Sequence, residues 1–207
     1  RSVVTYGTDP DADIRAENIE FCAGHTHFDV VRPGEREVLR VELHLPGMHN
    51  VRNALATIAV ADELQISDAA VTKALSDFQG IDRRFTILGE VDTAAGRVML
   101  VDDYGHHPTE IAATLAAARA GWPDKRIVLV FQPHRYTRTR DLMDDFAVVL
   151  SEADVTIVLD VFAAGEAPIA GADGRAIARA VRSRGAVEPV FVESLDDLLP
   201  VLDGLVE

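Results

Sequence analysis

The chain has 207 residues, 48% of them apolar, with a net charge of −14 and one cysteine, Cys22. That suffices for one or two packed domains. It excludes an internal disulfide, and the acidic balance argues against a general nucleic-acid binder. No apolar run approaches the roughly 18 residues of a membrane helix. Residue 1 is Arg, not Met, and no basic-plus-apolar signal segment opens the chain, so it is expected to be a piece of a longer protein. Its cysteine usage fits a reducing compartment, the cytoplasm.

Residues 1–46 read as strands. Ser2–Tyr6, Ile14–Phe21, Phe28–Arg32 and Glu37–Leu45 are β-rich or alternating, with Gly, Pro and Asp between them. In the last of these, Leu39, Val41, Leu43 and Leu45 alternate with Arg40, Glu42 and His44, so one face is buried and the other wet. Cys22, His25 and His27 are too few and too loosely spaced for a metal set. They read as a partly exposed strand end, and no metal ligand is expected in the chain.

Leu45–Asn50 is a loop that runs into a helix from Val51 to Leu64, Ala-rich and apolar at helical spacing. Asn50 and Asn53, three apart, share a face at its start. A helix N-terminus with amide side chains suits a polar ligand. A capping role would explain Asn50 but not Asn53. Ser67 caps a second helix with Asp68 in its first turn, ending near Phe78.

Gly80–Phe85 looks like a domain junction, giving domains 1–83 and 84–207. Beyond it, strands near Thr86–Val91, Val98–Val101, Arg126–Phe131, Val155–Val161 and Pro189–Val192 alternate with helices near Pro108–Ala120, Thr139–Ser151, Arg175–Arg184 and Ser194–Leu202. Such alternation implies a mostly parallel sheet with helices on both faces. Val98–Val101 is a short apolar run, as expected of a strand buried on both faces. Pro108 suits a first helical position, and Glu110 suits the positive helix end. Gly121 and Pro123 stop that helix.

Three strands end in unusual loops: Asp102–His107, Gln132–Thr139 and Phe162–Pro168. In open parallel sheets ligands bind at such strand ends. The first loop carries two carboxylates, a phenol and two imidazoles. The second carries Arg135 and Arg138, a candidate fork for a carboxylate or phosphate, beside His134. The five basic residues from Lys125 to Arg140, with no acid among them, make a candidate anion site. The eight acids from Asp141 to Asp173, with no Lys or Arg, read as a solvated face. The chain has neither a Gly-x-x-x-x-Gly-Lys-Ser/Thr phosphate loop nor a Gly-x-Gly-x-x-Gly turn, and no Ser–His–Asp or Cys–His nucleophile set suggests itself.

Asp102–Glu110 (Asp-Asp-Tyr-Gly-His-His-Pro-Thr-Glu) and Phe131–Thr139 (Phe-Gln-Pro-His-Arg-Tyr-Thr-Arg-Thr) closely resemble motifs of the Mur ligase family. Pro46–Ala54, Gly80–Phe85 and Ala164–Ile169 match its pattern too, and the resemblance covers nearly the whole chain. It implies the strand-plus-helix end of a central ATPase domain followed by a C-terminal Rossmann-like domain. The uridine-nucleotide domain, the ATP phosphate loop and the usual Mg2+ ligands have no counterpart in these residues.

The resemblance further implies an activity. ATP, with Mg2+, phosphorylates the carboxylate of UDP-N-acetylmuramate; the amine of L-alanine attacks the acyl phosphate, and phosphate leaves. Asp103 would hold the ATP ribose, His49, Asn50 and Asn53 would line the adenine end, and Arg84 would lie near the nucleotide. Arg135 and Arg138 would hold the amino-acid carboxylate or the anionic intermediate. Tyr104, His106 and His134 would border the amino-acid pocket, with His106 or His134 taking the ammonium proton. Three other readings stand beside this one. One is a recycling ligase that joins a whole peptide to the same nucleotide sugar, and another is a non-catalytic nucleotide-binding module. The third, a dinucleotide-dependent oxidoreductase, lacks its glycine fingerprint.

Overall fold

The structure, a computed structural model, describes residues 3–22, 24–34, 37–93 and 96–205. Arg1 and Ser2, the latter the start of the first expected strand, lie outside them. The chain divides into two compact units, Arg1–Asp82 with Ala116–Asp124, and Arg83–Leu115 with Lys125–Glu207. No helix among the described residues is long and apolar enough to cross a membrane.

In the first unit, β1 (Tyr6–Gly7), β2 (Ile14–Cys22), β3 (His25–Val31) and β4 (Leu39–Leu43) form a sheet in that order. β1 pairs parallel with β2, and the other pairs are antiparallel. The first strand is shorter than expected. Val3 and Val4 are exposed, so no burial rewards pairing there, and the Asp13 carboxylate takes the Thr5 N–H at 2.8 Å. β4 alternates as its sequence predicts: Leu39, Val41 and Leu43 are buried, Arg40 and Glu42 exposed.

Helix α1 (Met48–Glu63) begins three residues before its expected start, because Gly47, at φ 99°, supplies the N-cap conformation that other residues avoid. Asn50 therefore lies inside the first turn. It is no cap; its Nδ2 donates to the Pro46 carbonyl at 2.8 Å and fastens the preceding loop. Val51, Leu55 and Ile58 form the buried stripe of α1 and share one core with Val30 and Phe28 of the sheet. Helix α2 (Asp68–Asp77) is capped by the Ser67 hydroxyl, which accepts from the Ala70 N–H. Arg32, just past β3, is buried. Its guanidinium makes two 2.6 Å bonds to the Asp68 carboxylate and a third of 3.2 Å to Asp62, tying the strand end to both helices.

The second unit opens with β5 (Thr86–Thr93) and β6 (Gly96–Asp102), paired antiparallel. This corrects the expectation for Val98–Val101. That run is half-exposed, not buried on both faces, because its recorded partner is the neighbouring strand of a hairpin. Next come α3 (Pro108–Gly121), β7 (Val128–Phe131), α4 (Tyr136–Asp141), α5 (Met143–Leu150), β8 (Val155–Leu159), α6 (Gly174–Arg184) and β9 (Val190–Val192). A short 3-10 turn, Leu195–Asp197, leads into α7 (Leu198–Asp203), where one helix from Ser194 is expected. The helix expected over Thr139–Ser151 begins earlier, at Tyr136, and breaks at Leu142, whose ψ of 23° interrupts it.

β7, β8 and β9 form a parallel sheet in sequence order. The strand buried on both faces is β8, all five residues of it. Val158 packs with Phe146, Leu150, Ile177 and Val181 of α5 and α6. Ile157 and Leu159 pack with Leu198, Val201 and Leu202 of α7. Alternate residues of one strand thus face helices on opposite sides, the layered α/β arrangement expected of the alternation.

Candidate functional site

The site grows from the loops that follow β6, β7 and β8. The loop after β6 is locked by its own carboxylates. Asp103 accepts from the Phe85 N–H at 2.9 Å and from the Gly105 N–H at 2.6 Å. Gly105 has no room for a side chain, since a Cβ would stand 2.7 Å from Asp103 Oδ1. The Tyr104 N–H donates to the Arg83 carbonyl at 2.7 Å. Glu110, in the first turn of α3, reaches back to the His106 and His107 N–H groups at 3.0 and 3.1 Å, the carboxylate half of a capping box. Burial alone would push the Glu110 carboxyl up. The two amides, His106 and the Arg84 guanidinium 3.4 Å away outweigh it and hold the pKa below its usual value.

The loops after β7 and β8 are sewn together. The Arg135 N–H donates to the Phe162 carbonyl at 2.9 Å, and the Phe162 N–H to the Pro133 carbonyl at 2.8 Å, which carries the β7–β8 pairing past the strand ends. The His134 ring lies parallel to that of Phe162, 5.5 Å away. Glu166 accepts from the Thr137 N–H at 3.0 Å and the Thr137 hydroxyl at 2.7 Å, so an acid from the third loop caps α4. Those two bonds hold the Glu166 carboxyl below the usual carboxylate range. Arg135, at the N-cap of α4, has φ 74°.

Four rings run in a row through these loops. Tyr104 and His106 are 5.2 Å apart, His106 and His134 5.6 Å, and His134 and Phe162 5.5 Å. The Arg83 guanidinium covers the outer end, 4.7 Å over Tyr104. The two imidazoles have opposite proton arrangements. His106 Nδ1 lies 2.9 Å from the Tyr104 carbonyl oxygen, which can only accept, so Nδ1 carries the hydrogen and neutral His106 keeps its lone pair on Nε2. His134 Nδ1 lies 3.2 Å from Arg138 Nη1, which can only donate, so His134 keeps its lone pair on Nδ1 and presents Nε2–H. Burial, then the charges of Arg138, His106 and Arg135, holds the His134 pKa below that of a free imidazole.

The structure brings together Tyr104, His106, His134 and Arg138 of the expected residues, with Arg135 on the same loop. Among the described residues no hydrogen bond or ion pair holds the exposed Arg135 guanidinium. Asp103 is engaged by the Phe85 and Gly105 N–H groups, and Arg84 by Glu110 of α3. His49, Asn50 and Asn53 belong to the first unit, in the first two turns of α1.

The basic segment does not act as one patch. Arg126 donates to the Leu205 carbonyl at 3.1 Å and Arg140 pairs with Asp141 at 2.7 Å, which leaves Arg135 and Arg138 beside the rings. The acidic stretch is also more than a solvated face. Asp154 accepts from the Ile127 N–H, Asp160 from the Gly174 N–H, and Asp173 caps α6 through the Ala176 N–H. Sequence reasoning assigned no role to Phe162, Glu166 or Arg83.

A helix-flanked parallel sheet carries His134, Arg135 and Arg138 on its strand-end loops, with His106 beside them from the loop after β6, in a layered α/β domain. The chain belongs to the Mur ligase family: the family's glutamate ligase domain matches residues 83–206, and its middle domain matches residues 1–61. UDP-N-acetylmuramate-alanine ligase MurC from Thermotoga maritima is similar at 33% identity over 96% of this chain, with a TM-score of 0.76. MurF from Acinetobacter baumannii (19% identity, 99% of this chain, TM-score 0.71) and folylpolyglutamate synthase from Thermotoga maritima (16%, 92%, 0.61) share the fold. The chain spans 41%, 40% and 42% of the length of these three proteins.

Proposed function

We propose that the protein of which this chain is a part is a cytoplasmic ATP-dependent ligase of cell-wall precursor synthesis. It joins L-alanine to the carboxylate of UDP-N-acetylmuramate through an acyl phosphate. The observation that carries this reading is the exposed Arg135 guanidinium beside the His134–Arg138 pair and the His106 ring. A small amino acid offers little apolar surface, so its carboxylate must supply much of the grip, at about 1.5–3 kcal/mol per charged hydrogen bond. Arg135 supplies a free fork for that anion, and His134 an Nε2–H donor beside it.

The alanine ammonium must lose a proton before it attacks. His106 is the base in this reading, because its Nε2 lone pair is available while that of His134 faces a guanidinium. Proton transfer of this kind is worth about 10²–10⁴ in rate, and alignment of the reactants roughly 7–11 kcal/mol. The carboxylates of Asp103, Glu110 and Glu166 are each engaged by backbone amides. They form no oxygen cage for Mg2+. Similarity to MurC, the motifs of the β6 and β7 loops and the Arg135 fork all support alanine as the amine.

The test is phosphate release from ATP with UDP-N-acetylmuramate on the full-length protein, comparing L-alanine with a cell-wall tripeptide. Release that requires alanine supports the assignment. Release with the tripeptide alone moves it to a recycling ligase, and no release with either leaves a nucleotide-binding module.

A further inference from the structure

The strand end that carries Cys22, His25 and His27 has a different chemistry once the sheet is assembled. Thr26 pairs with Leu43 and His27 with Glu42, so the register sets His25 opposite His44. Alternation then places His25, His27, Glu42 and His44 on one face. Thr26 and Leu43 point the other way and are buried. His25 Nδ1 lies 3.7 Å and His44 Nε2 3.8 Å from the same atom, Glu42 Oε1. The two ring planes are inclined at 63°, with centroids 4.6 Å apart.

The geometry points to a divalent transition-metal site of the zinc class, held by His25, Glu42 and His44. One ligand atom from each residue lies within 4.8 Å of the other two. A tetrahedral zinc ion with bonds of 2.0–2.1 Å needs ligand atoms about 3.3 Å apart. The two separations from Glu42 Oε1 exceed that by half an ångström or less, and all three side chains are partly exposed, so rotation about their side-chain bonds can draw the three ligand atoms together. Two imidazoles and one carboxylate are the donor set that zinc takes with its fourth position open to water.

Gln79 lies behind His44. Its amide nitrogen lies 3.3 Å from His44 Nδ1. With zinc on Nε2, Nδ1 carries the hydrogen, and the Gln79 amide must turn over, giving up its 3.4 Å bond to the Asp77 carbonyl, to accept it through Oε1. Occupancy would clip β3 to the segment after β4, two residues before Pro46 and the entry to α1.

The test is a zinc titration of the chain against a chromophoric chelator. The wild-type chain is expected to take up one equivalent at micromolar concentration. His25→Ala, His44→Ala and Glu42→Gln should each weaken uptake more than about 100-fold, and Gln79→Ala about 10-fold. Cys22→Ser and His27→Ala should leave it unchanged. Metal-free thermal melts of the half-exposed histidine variants should match the wild type, which separates ligand loss from misfolding. Uptake only at millimolar zinc, uptake that survives His25→Ala or His44→Ala, or uptake lost with Cys22→Ser would overturn the site. None of these readouts depends on ligase activity, so the inference stands or falls apart from the proposed function.

Discussion

Arg138 grips His134 twice, with Nη1 3.2 Å from the ring Nδ1 and 3.1 Å from the carbonyl oxygen of the same residue. A proton on Nδ1 would face a guanidinium. Burial first, and then that guanidinium, make folding favour the neutral ring. Below about pH 6.5, the usual imidazole value, the unfolded chain binds a proton that the folded chain still refuses. Stability from this residue is complete above that pH and falls as pH drops toward the lower folded value. The His134 ring resonances, followed by NMR, should titrate below the usual range. In Arg138→Ala they should move only part of the way back, because burial is the larger cause and remains.

In the proposed ligase, the opposite tautomers of the two imidazoles give them different roles. In the full-length protein, His106→Ala should lower turnover by about 10²–10⁴ with a modest change in the KM for alanine. His134→Ala should act mainly on that KM, since it removes a donor. Steady-state kinetics with alanine varied would check this, and the reverse pattern would exchange the roles.

Glu110 closes two backbone amides at the start of α3 and holds the Arg84 guanidinium. Glu110→Ala should cost about 1 kcal/mol, in line with loss of a cap. Its carboxyl pKa is held low, so its contribution is present above the ordinary glutamate range and is lost as pH falls through the folded value. Denaturant melts of both proteins at neutral and acid pH should converge in acid.

Arg32 is buried, while Asp68 across the bond is half-exposed. The two ends of this pair are therefore unequal. Asp68→Ala leaves a buried guanidinium with Asp62 alone and should cost about 3 kcal/mol. Adding Arg32→Met to that variant removes the stranded charge and should recover part of the loss, which denaturant titration of the single and double variants would measure.

Much of this could be read from the residues, and what could not has a common cause. The β7 loop announced itself because His134, Arg135 and Arg138 follow an apolar strand with no competing structural duty for their types. The Pro108 helix start and its Glu110 cap are local features, legible within three residues. Val98–Val101 and Val155–Leu159 are alike as apolar runs; only their pairing partners tell a hairpin strand from a twice-buried one, and periodicity carries no partner information. Glu166 caps a helix that begins 30 residues earlier in the chain, and Phe162 stacks on a histidine 28 residues before it. No spacing rule reaches across β8 to find them. His25 and His44 were separated in the same way, by a turn and a strand.

The φ of 74° at Arg135 makes this position a poor place for an ordinary alanine scan. A non-glycine residue held there costs on the order of 1–3 kcal/mol, and alanine keeps that strain while deleting the guanidinium. Glycine deletes both. Arg135→Gly should therefore melt higher than the wild type while losing its hold on the carboxylate, and Arg135→Ala should lose the same hold with no gain in melting temperature. At this residue the chain holds an exposed guanidinium, the proposed carboxylate fork, against its own folding stability. Selection for a hardier protein without selection for ligand binding would be expected to discard that arginine early.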